Sequence, residues 1–199
     1  MSNARNLANF LGTSTTVPSG KIVTASLPTG SVLQVVQGSL KSAFTGTGAS
    51  GSNYILDIGL SATITPIATN SSILIDVSLY VGADQTNSSG YQQMYYVYKA
   101  GSELTSINGT STNSRPAVAG MINMYESGNT SIAYNVFWLG GKHLETNVGT
   151  TSATEYKIYV RGYSSGPVMF VNRSQAFQAS TNNYDGCPNS TITLTEIAV

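Results

Sequence analysis

The stretch GLSATITPIATNSSILIDVSLYVG, from Gly59 to Gly82, predicts a hairpin of two β-strands joined by a turn. In its first part, Leu60, Ala62 and Ile64 alternate with hydroxyl side chains, which is the two-residue period of a half-buried strand. Pro66 ends this strand because proline has no N–H to donate to a neighbouring strand. The second part alternates over a longer run, with apolar residues at Ile73, Ile75, Val77, Leu79 and Val81. An apolar face of this length has to be covered by another sheet.

Strands of similar length follow along the rest of the chain, and no long helical period interrupts them. The predicted strands are Val32–Gln37, Asn53–Ile58, Gln92–Lys99, Leu104–Ile107, Ser131–Leu139, Tyr156–Arg161, Val168–Arg173 and Thr191–Val199, with an irregular strand over Arg115–Tyr125. Short strands separated by turns are typical of antiparallel β-sandwiches of the jelly-roll or Greek-key type. We therefore expect an all-β protein in which residues 31–199 form one β-sandwich domain.

The first 30 residues follow a different pattern. Leu7, Phe10 and Leu11 recur at helical spacing, and Gly12 is placed to end a helix. Prolines and glycines in the residues that follow, up to Gly30, indicate an extended linker. A helix this short is not stable alone. We predict that residues 1–30 form a helical anchor peptide and linker, with Leu7, Phe10 and Leu11 as the anchoring face. The alternative is a frayed terminus.

The segment Ser131–Leu139 is apolar on both faces of its predicted strand, and Gly140 and Gly141 are predicted to end it. One face carries Ile132, Tyr134, Val136 and Trp138, and the other carries Ala133, Phe137 and Leu139. One face fills the sandwich, and the other needs a partner because large apolar patches are rarely left bare. Symmetric closure would cover three copies at once. We predict a homotrimer with Phe137 and Leu139 at the interface between subunits.

The composition excludes several classes of function. Charged residues make up only 9% of the 199 residues, against about 25% in an average soluble protein. The 9 Lys and Arg residues are scattered and balanced by 9 acidic residues, so no basic patch marks a nucleic-acid partner. No apolar run approaches the ~20 residues of a membrane helix, and the opening residues lack a secretory pattern. We expect no nucleic-acid partner, no membrane insertion and synthesis in a cytoplasm.

Patterns for catalysis or metal binding are weak. His143 is the only histidine, and with Glu145 it supplies two metal ligands, which do not close a metal site. A Ser–His–Asp hydrolase would need His143 as its base, but the chain has no G-x-S-x-G elbow. Cys187 reads as a loop or core thiol, and the carboxylates form no recognisable pair of the kind that glycosidases use. We predict that the protein is not an enzyme and has no cofactor or metal.

Several segments, taken in order, carry a resemblance to a known class of proteins. They are MSNARNLANFLG followed by VPSGKI, then GSVLQVVQG, DIGLSATITPIATNSSILIDVSL, TSATEYKIYVRG, MFVNRS and the terminal STITLTEIAV. This arrangement resembles the C-terminal domains of tail fibres and other virion structural proteins of tailed bacteriophages, especially marine and cyanobacterial ones. The similarity covers Ser31 to Val199 and is weakest from Gly90 to Leu144. The opening resembles the leader often found before such domains.

The resemblance implies a β-sandwich, usually homotrimeric, in a virion appendage assembled in the host cytoplasm. We expect a trimeric tail-fibre or tail-tip component that attaches to other virion proteins through its N-terminus. The alternative is a capsid decoration protein or head fibre with a purely structural role. A tail component would bind a host surface glycan or protein through loops at one end, since loops on a rigid scaffold carry function. The candidate receptor-binding residues are tyrosines in or beside predicted loops, whose rings suit stacking on sugars: Tyr91, Tyr125, Tyr163 and Tyr184.

Overall fold

The computed structural model describes residues 27–47, 55–84, 92–113, 115–124, 133–162, 168–176 and 186–199. Within these ranges the chain is all-β apart from a 3-10 helix at Thr105–Ile107 and a short 3-10 turn at Ala133–Tyr134, which lies where the sequence predicts the start of the strand Ser131–Leu139. The strands are β1 Val32–Leu40, β2 Phe44–Thr47, β3 Leu56–Ile64, β4 Ser72–Gly82, β5 Gln92–Lys99, β6 Ser102–Glu103, β7 Gly120–Asn123, β8 Val136–Glu145, β9 Thr154–Gly162, β10 Val168–Val171 and β11 Ser190–Ile197. The predicted N-terminal helix lies outside the described residues.

The strands form two antiparallel sheets. In sheet A, β4 pairs along its length with β8 on one side, and on the other side first with β11 and then with β10. β1 lies outside β11, and β2 lies outside β10. Sheet B runs β3, β9, β5, and β5 then pairs with both β6 and β7. β3 and β4 therefore form as strands but are not the predicted hairpin, because their connection crosses from sheet B to sheet A.

The inner faces of the two sheets share one hydrophobic core. The alternation in β4 is as the sequence predicts, and none of its inward side chains has exposed surface: Ile73, Ile75, Val77, Leu79 and Val81. β3 covers them from the other sheet with Ile58, Leu60, Ala62 and Ile64. Burying an aliphatic side chain of this size contributes roughly 1.5–3 kcal/mol, so this core is the main source of stability.

Gly140 and Gly141 lie in the middle of β8 and do not end it as predicted. A Cβ atom on Gly140 would lie 2.1 Å from the carbonyl oxygen of Val77 on the neighbouring strand. A Cβ atom on Gly141 would lie 3.0 Å from Oη of Tyr95, which reaches across from sheet B. Gly140 is therefore needed for the close approach of β4, a side chain at Gly141 would require Tyr95 to shift, and β8 continues through both glycines to Glu145.

The segment Leu104–Ile107, predicted to be extended, contains the 3-10 helix instead. Leu104 and Ile107 pack against the core from this helix and the residue before it. Apolar residues at this spacing suit one helical turn as well as a short strand, which is why periodicity did not distinguish the two. The short strand β2 has no counterpart among the predicted strands.

Asn172 and Ser190 lie where the pairing partner of β4 changes from β11 to β10. The backbone of Tyr80 lies between these two partner strands. Its N–H donates to Ser190 Oγ at 3.1 Å, and its carbonyl accepts from the N–H of Asn172 at 2.8 Å. The buried Asn172 side chain accepts from Ser190 Oγ at 2.5 Å and donates to the carbonyl of Leu40 at 2.5 Å. One asparagine thus joins β1, β4 and β11 at the end of β10.

We predict that Asn172→Ala lowers the free energy of unfolding by about 2–4 kcal/mol, because it leaves several buried polar groups without partners. Asn113→Ala is the matched control, since both asparagines have a φ of 57° but Asn113 is exposed. The control loses only the conformational preference of asparagine for this region, about 1 kcal/mol. Urea unfolding of the two variants measures the difference, and equal losses would show that the Asn172 hydrogen bonds contribute little.

Glu196 ties the connection between β3 and β4 to the last strand. Its carboxylate is fully buried and accepts from the N–H of Ile67 at 2.8 Å and from Gln34 Nε2 at 2.6 Å. Burial alone would raise the pKa of Glu196, but the hydrogen bonds from Gln34 and from the backbone N–H groups of Ile67 and Ala68 outweigh it. The pKa of Glu196 is therefore lowered below its ordinary value.

The lowered pKa predicts a loss of stability in acid. Because the pKa of Glu196 is lower in the folded than in the unfolded chain, its contribution is complete above the ordinary glutamate pKa and is lost as the pH falls through the folded pKa. Glu196→Gln should lower the free energy of unfolding at neutral pH by about 1–3 kcal/mol and reduce its further loss in acid. Urea unfolding at about pH 7 and about pH 3 tests this, with the exposed Glu155→Gln as control. If Glu196→Gln loses as much stability in acid as the unchanged protein, the buried carboxylate is not the acid-sensitive group.

Candidate functional site

His143 and Glu145, the candidate metal ligands, lie on the inner face of β8 and bind other protein groups. Oη of Tyr95 and Nε2 of His143 are 2.6 Å apart. Glu145 accepts from Tyr156 Oη at 2.5 Å and from Lys99 Nζ at 2.6 Å. Within the described ranges, no three His, Cys, Asp or Glu side chains come close enough to hold a metal ion. These five side chains link β8 of sheet A to β5 and β9 of sheet B.

Burial sets the protonation of this cluster. It raises the pKa of Tyr95, and together with the hydrogen bond to Glu145 it raises the pKa of Tyr156. It lowers the pKa of His143 below its ordinary value. At neutral pH both tyrosines therefore keep their protons and His143 is neutral. In this state Tyr156 donates to Glu145, and one hydrogen bond links Tyr95 to His143, so the cluster is a bridge between the two sheets.

Five apolar residues on the outer face of sheet A lie on two adjoining rows of the strand register, with Thr195 among them, and we call this set the apolar band. In the strand register, Leu144 lies opposite Leu74, Leu74 opposite Thr195, and Thr195 opposite Val35. Val32 lies opposite Ile197 on the adjoining row. Val32 and Val35 are each 58% exposed, and Leu144 is 52% exposed. The band therefore crosses four neighbouring strands and consists of Val32, Val35, Leu74, Leu144 and Ile197.

A polar row borders the apolar band. Lys142 forms an exposed ion pair with Asp76 on the neighbouring strand, so the two charges cancel. In the same row, Gln37 Nε2 donates to Thr193 Oγ1 at 2.9 Å. Single exposed apolar residues are common on protein surfaces, but a group of neighbouring apolar residues with a polar border is typical of a contact surface.

Phe137 and Leu139, the predicted interface residues, lie on the inner face of β8, and this prediction needs correction. Leu139 is only 3% exposed and belongs to the core, and Phe137 packs against the core. The expectation that one side of this strand remains apolar in solvent holds for the opposite set, Val136, Trp138 and Leu144. Extending the alternation beyond Gly141 would have placed Leu144 on the same face as Trp138.

The predicted receptor-binding residues Tyr91, Tyr125, Tyr163 and Tyr184 lie outside the described residues, as do the predicted anchor residues Leu7, Phe10 and Leu11. The described strand ends next to three of the tyrosines are neighbours in sheet B. Gln92 pairs with Asn123, and Gln93 pairs with Gly162. In the sequence, Tyr91 directly precedes Gln92 and Tyr163 directly follows Gly162. Tyr125 follows Asn123 by two residues.

The two ends of the domain differ in which parts of the chain meet there. At one end, the N–H of Gly30 donates to the carbonyl of Ala198 at 2.8 Å, so the first described residues lie beside the last ones. We call this the terminal end. The segments 48–54, 85–91, 125–132, 163–167 and 177–185 all connect strand ends at the opposite side, which we call the loop end. There, Gln93 Nε2 donates to the carbonyl of Gly82 at 2.6 Å and joins the two sheets.

No protein-family model matches this chain, and no curated protein matches it in sequence. No helix among the described residues is long and apolar enough to cross a membrane.

Two leucines on β8 provide a test of which face is buried. Leu139→Ala should lower the free energy of unfolding by about 2–5 kcal/mol, because it leaves a cavity in the core. Leu144→Ala makes the same chemical change on the same strand but at an exposed position, and should cost about 0.5 kcal/mol or less. Urea unfolding at protein concentrations low enough to prevent self-association compares the two. A larger loss for Leu144→Ala would reverse the assignment of the faces.

Proposed function

We propose that this protein is a structural component of a bacteriophage virion, most closely a trimeric tail-fibre or tail-tip component. The observation that carries the proposal is the polarity of the domain. The N-terminal segment joins at the terminal end, next to Val32 and Ile197 of the apolar band. Five of the segments between strands leave from the loop end. An appendage needs this arrangement, with attachment at one end and the exposed surface at the other.

The finer fold class that we propose is a β-sandwich of the jelly-roll or Greek-key kind. It is supported by two antiparallel sheets that face one core. Consecutive strands also change sheets repeatedly: β3, β5 and β9 belong to sheet B, while β4, β8 and β10 belong to sheet A. Connections that cross between two sheets are characteristic of Greek-key topologies.

The proposed homotrimer uses the apolar band as its contact surface. Covering this band removes exposed apolar area from water, at about 25 cal/mol per Å². The net charge of zero means that copies of the chain do not repel one another at long range. The Lys142–Asp76 pair beside the band is neutral as a unit, so it adds no net charge to the contact. A closed ring would cover the band in every copy at once.

The proposed anchor is the N-terminal segment with Leu7, Phe10 and Leu11, which attaches the trimer to another virion protein. The loop end would then face away from the particle and contact a host surface glycan or protein. The alternative role is a capsid decoration protein or head fibre that attaches in the same way and binds no receptor.

We expect the purified full-length chain to sediment as a trimer at micromolar concentration. The double substitution Val35→Ser with Leu144→Ser should give a folded monomer, because it makes both ends of the apolar band polar. Met121→Ser is the matched control, since Met121 is also exposed, at 55%, but lies on the outer face of sheet B. Analytical ultracentrifugation with circular dichroism measures association and folding together.

A monomeric unchanged protein would contradict the proposed trimer, and a trimer that survives the double substitution would place its interface elsewhere. Removal of residues 1–12 tests the anchor separately. The truncated chain should fold and self-associate normally but should be missing from virus particles. Cryo-electron microscopy of the particle distinguishes a tail position from a capsid position.

A further inference from the structure

A recess on the outer face of sheet B has the size and the lining of a ligand site. Its volume is about 510 Å³, within the roughly 300–1,000 Å³ of small-molecule pockets. β5 and β7 line one side of it, and the other side is lined by Thr110, Thr112, Arg115, Pro116 and Val118. Gln92, the first residue of β5, also lines it, so the recess lies at the loop end of the domain.

Two methionines form the apolar side of the recess. Met94 and Met121 are paired across β5 and β7. Met94 is only 4% exposed and forms the buried floor of the recess, whereas Met121 is 55% exposed and forms an open wall. Methionine side chains are flexible and polarisable, and they adapt to the shape of a bound group.

Hydrogen bonds within the loop that forms the opposite wall of the recess fix its conformation. The N–H of Gly109 donates to the carbonyl of Val118 at 3.1 Å, which closes the base of the loop. The N–H of Arg115 donates to the carbonyl of Thr112 at 3.1 Å, and Ser111 Oγ donates to the carbonyl of Arg115 at 3.0 Å. A wall that is ordered before binding lowers the entropy cost of binding a ligand.

Arg115 gives the recess its charge. It is the one charged residue in the lining, and it is exposed. Within the part of the chain that the structure describes, its guanidinium has no hydrogen-bond acceptor and no ion-pair partner. Arg161 adds a second positive charge beside the floor, since it lies opposite Met94 in the register. A guanidinium presents donors in a fork that matches a carboxylate.

The remaining polar groups of the lining suit hydroxyl groups on a ligand. Thr110 and Thr112 carry hydroxyls, and Gln92 carries an amide. Each of these groups both donates and accepts hydrogen bonds, as a sugar hydroxyl does. A sugar ring also has a C–H face, which the apolar methionine side would cover.

We propose that this recess binds an acidic sugar, with its carboxylate on Arg115, its hydroxyls on Thr110, Thr112 and Gln92, and its ring against Met94 and Met121. The biological role of such a site, recognition of a host surface glycan, rests on the proposed function. The binding itself does not depend on it. A neutral sugar has no group for Arg115, and a simple inorganic anion has no ring for the methionines.

Saturation-transfer NMR with the full-length chain tests the site. The probes are methyl β-D-glucuronide and the neutral methyl β-D-glucoside, which differ only in the carboxylate. We expect the glucuronide to bind at least about 10-fold more tightly than the glucoside. Arg115→Gln should remove this preference, and Arg115→Lys should retain part of it because lysine keeps the charge but not the fork. Lys41→Gln, an exposed cation outside the recess, should change nothing.

Equal binding of the two sugars, or an unchanged preference in Arg115→Gln with a normal unfolding curve, would overturn the proposal. If inorganic phosphate competes for the site as strongly as the glucuronide does, the recess is a general anion site. This result would also overturn the proposal. Sedimentation of the same samples keeps the two proposals separate. A trimer without sugar preference contradicts only the sugar site, and a monomer with sugar preference contradicts only the proposed assembly.

Discussion

Burial of the inner face of β4 is the constraint on which the other features of the domain depend. Its inward side chains, from Ile73 to Val81, have no exposed surface, so a second sheet has to cover them. The backbone of a strand buried in this way needs hydrogen-bond partners on both sides. β8 supplies one side, and β11 and β10 supply the other. At Tyr80, between β11 and β10, Ser190 and Asn172 complete the bonding, which explains why polar side chains are buried there.

The same register determines the outer surface. Because side chains alternate along a strand, the burial of Ile73 and Ile75 places Leu74 and Asp76 outside. Pairing then aligns Leu74 with Leu144 and Asp76 with Lys142. A slip of one residue would bury Asp76 and expose the isoleucines, so the core excludes it. The apolar band and its neutral polar border are therefore consequences of how the core is packed.

The predictability of each element depends on whether its partners are local. The strong alternation of β4 is visible in the sequence because one face is apolar and the other is mixed. β8 begins with apolar residues on both faces, so only distant partners decide which side turns inward: Gly141 leaves room for Oη of Tyr95, and Glu145 meets Lys99. The recess depends on the pairing of Met94 with Met121, nearly thirty residues apart, and on a loop that carries no motif. Local patterns therefore predicted the strands but neither the face that carries the apolar band nor the recess.

Direct hydrogen bonds at the terminal end join the connections between strands to one another. The connection between β8 and β9 is hydrogen-bonded to the connection between β3 and β4. The N–H of Val148 donates to the carbonyl of Ser71 at 2.9 Å, and the N–H of Gly149 donates to the carbonyl of Thr69 at 2.8 Å. Glu196 binds the same β3–β4 connection from β11. Lys99 reaches the carbonyl of Val148 at 2.8 Å from sheet B. These hydrogen bonds involve both sheets, because Lys99 belongs to β5 of sheet B and Glu196 to β11 of sheet A.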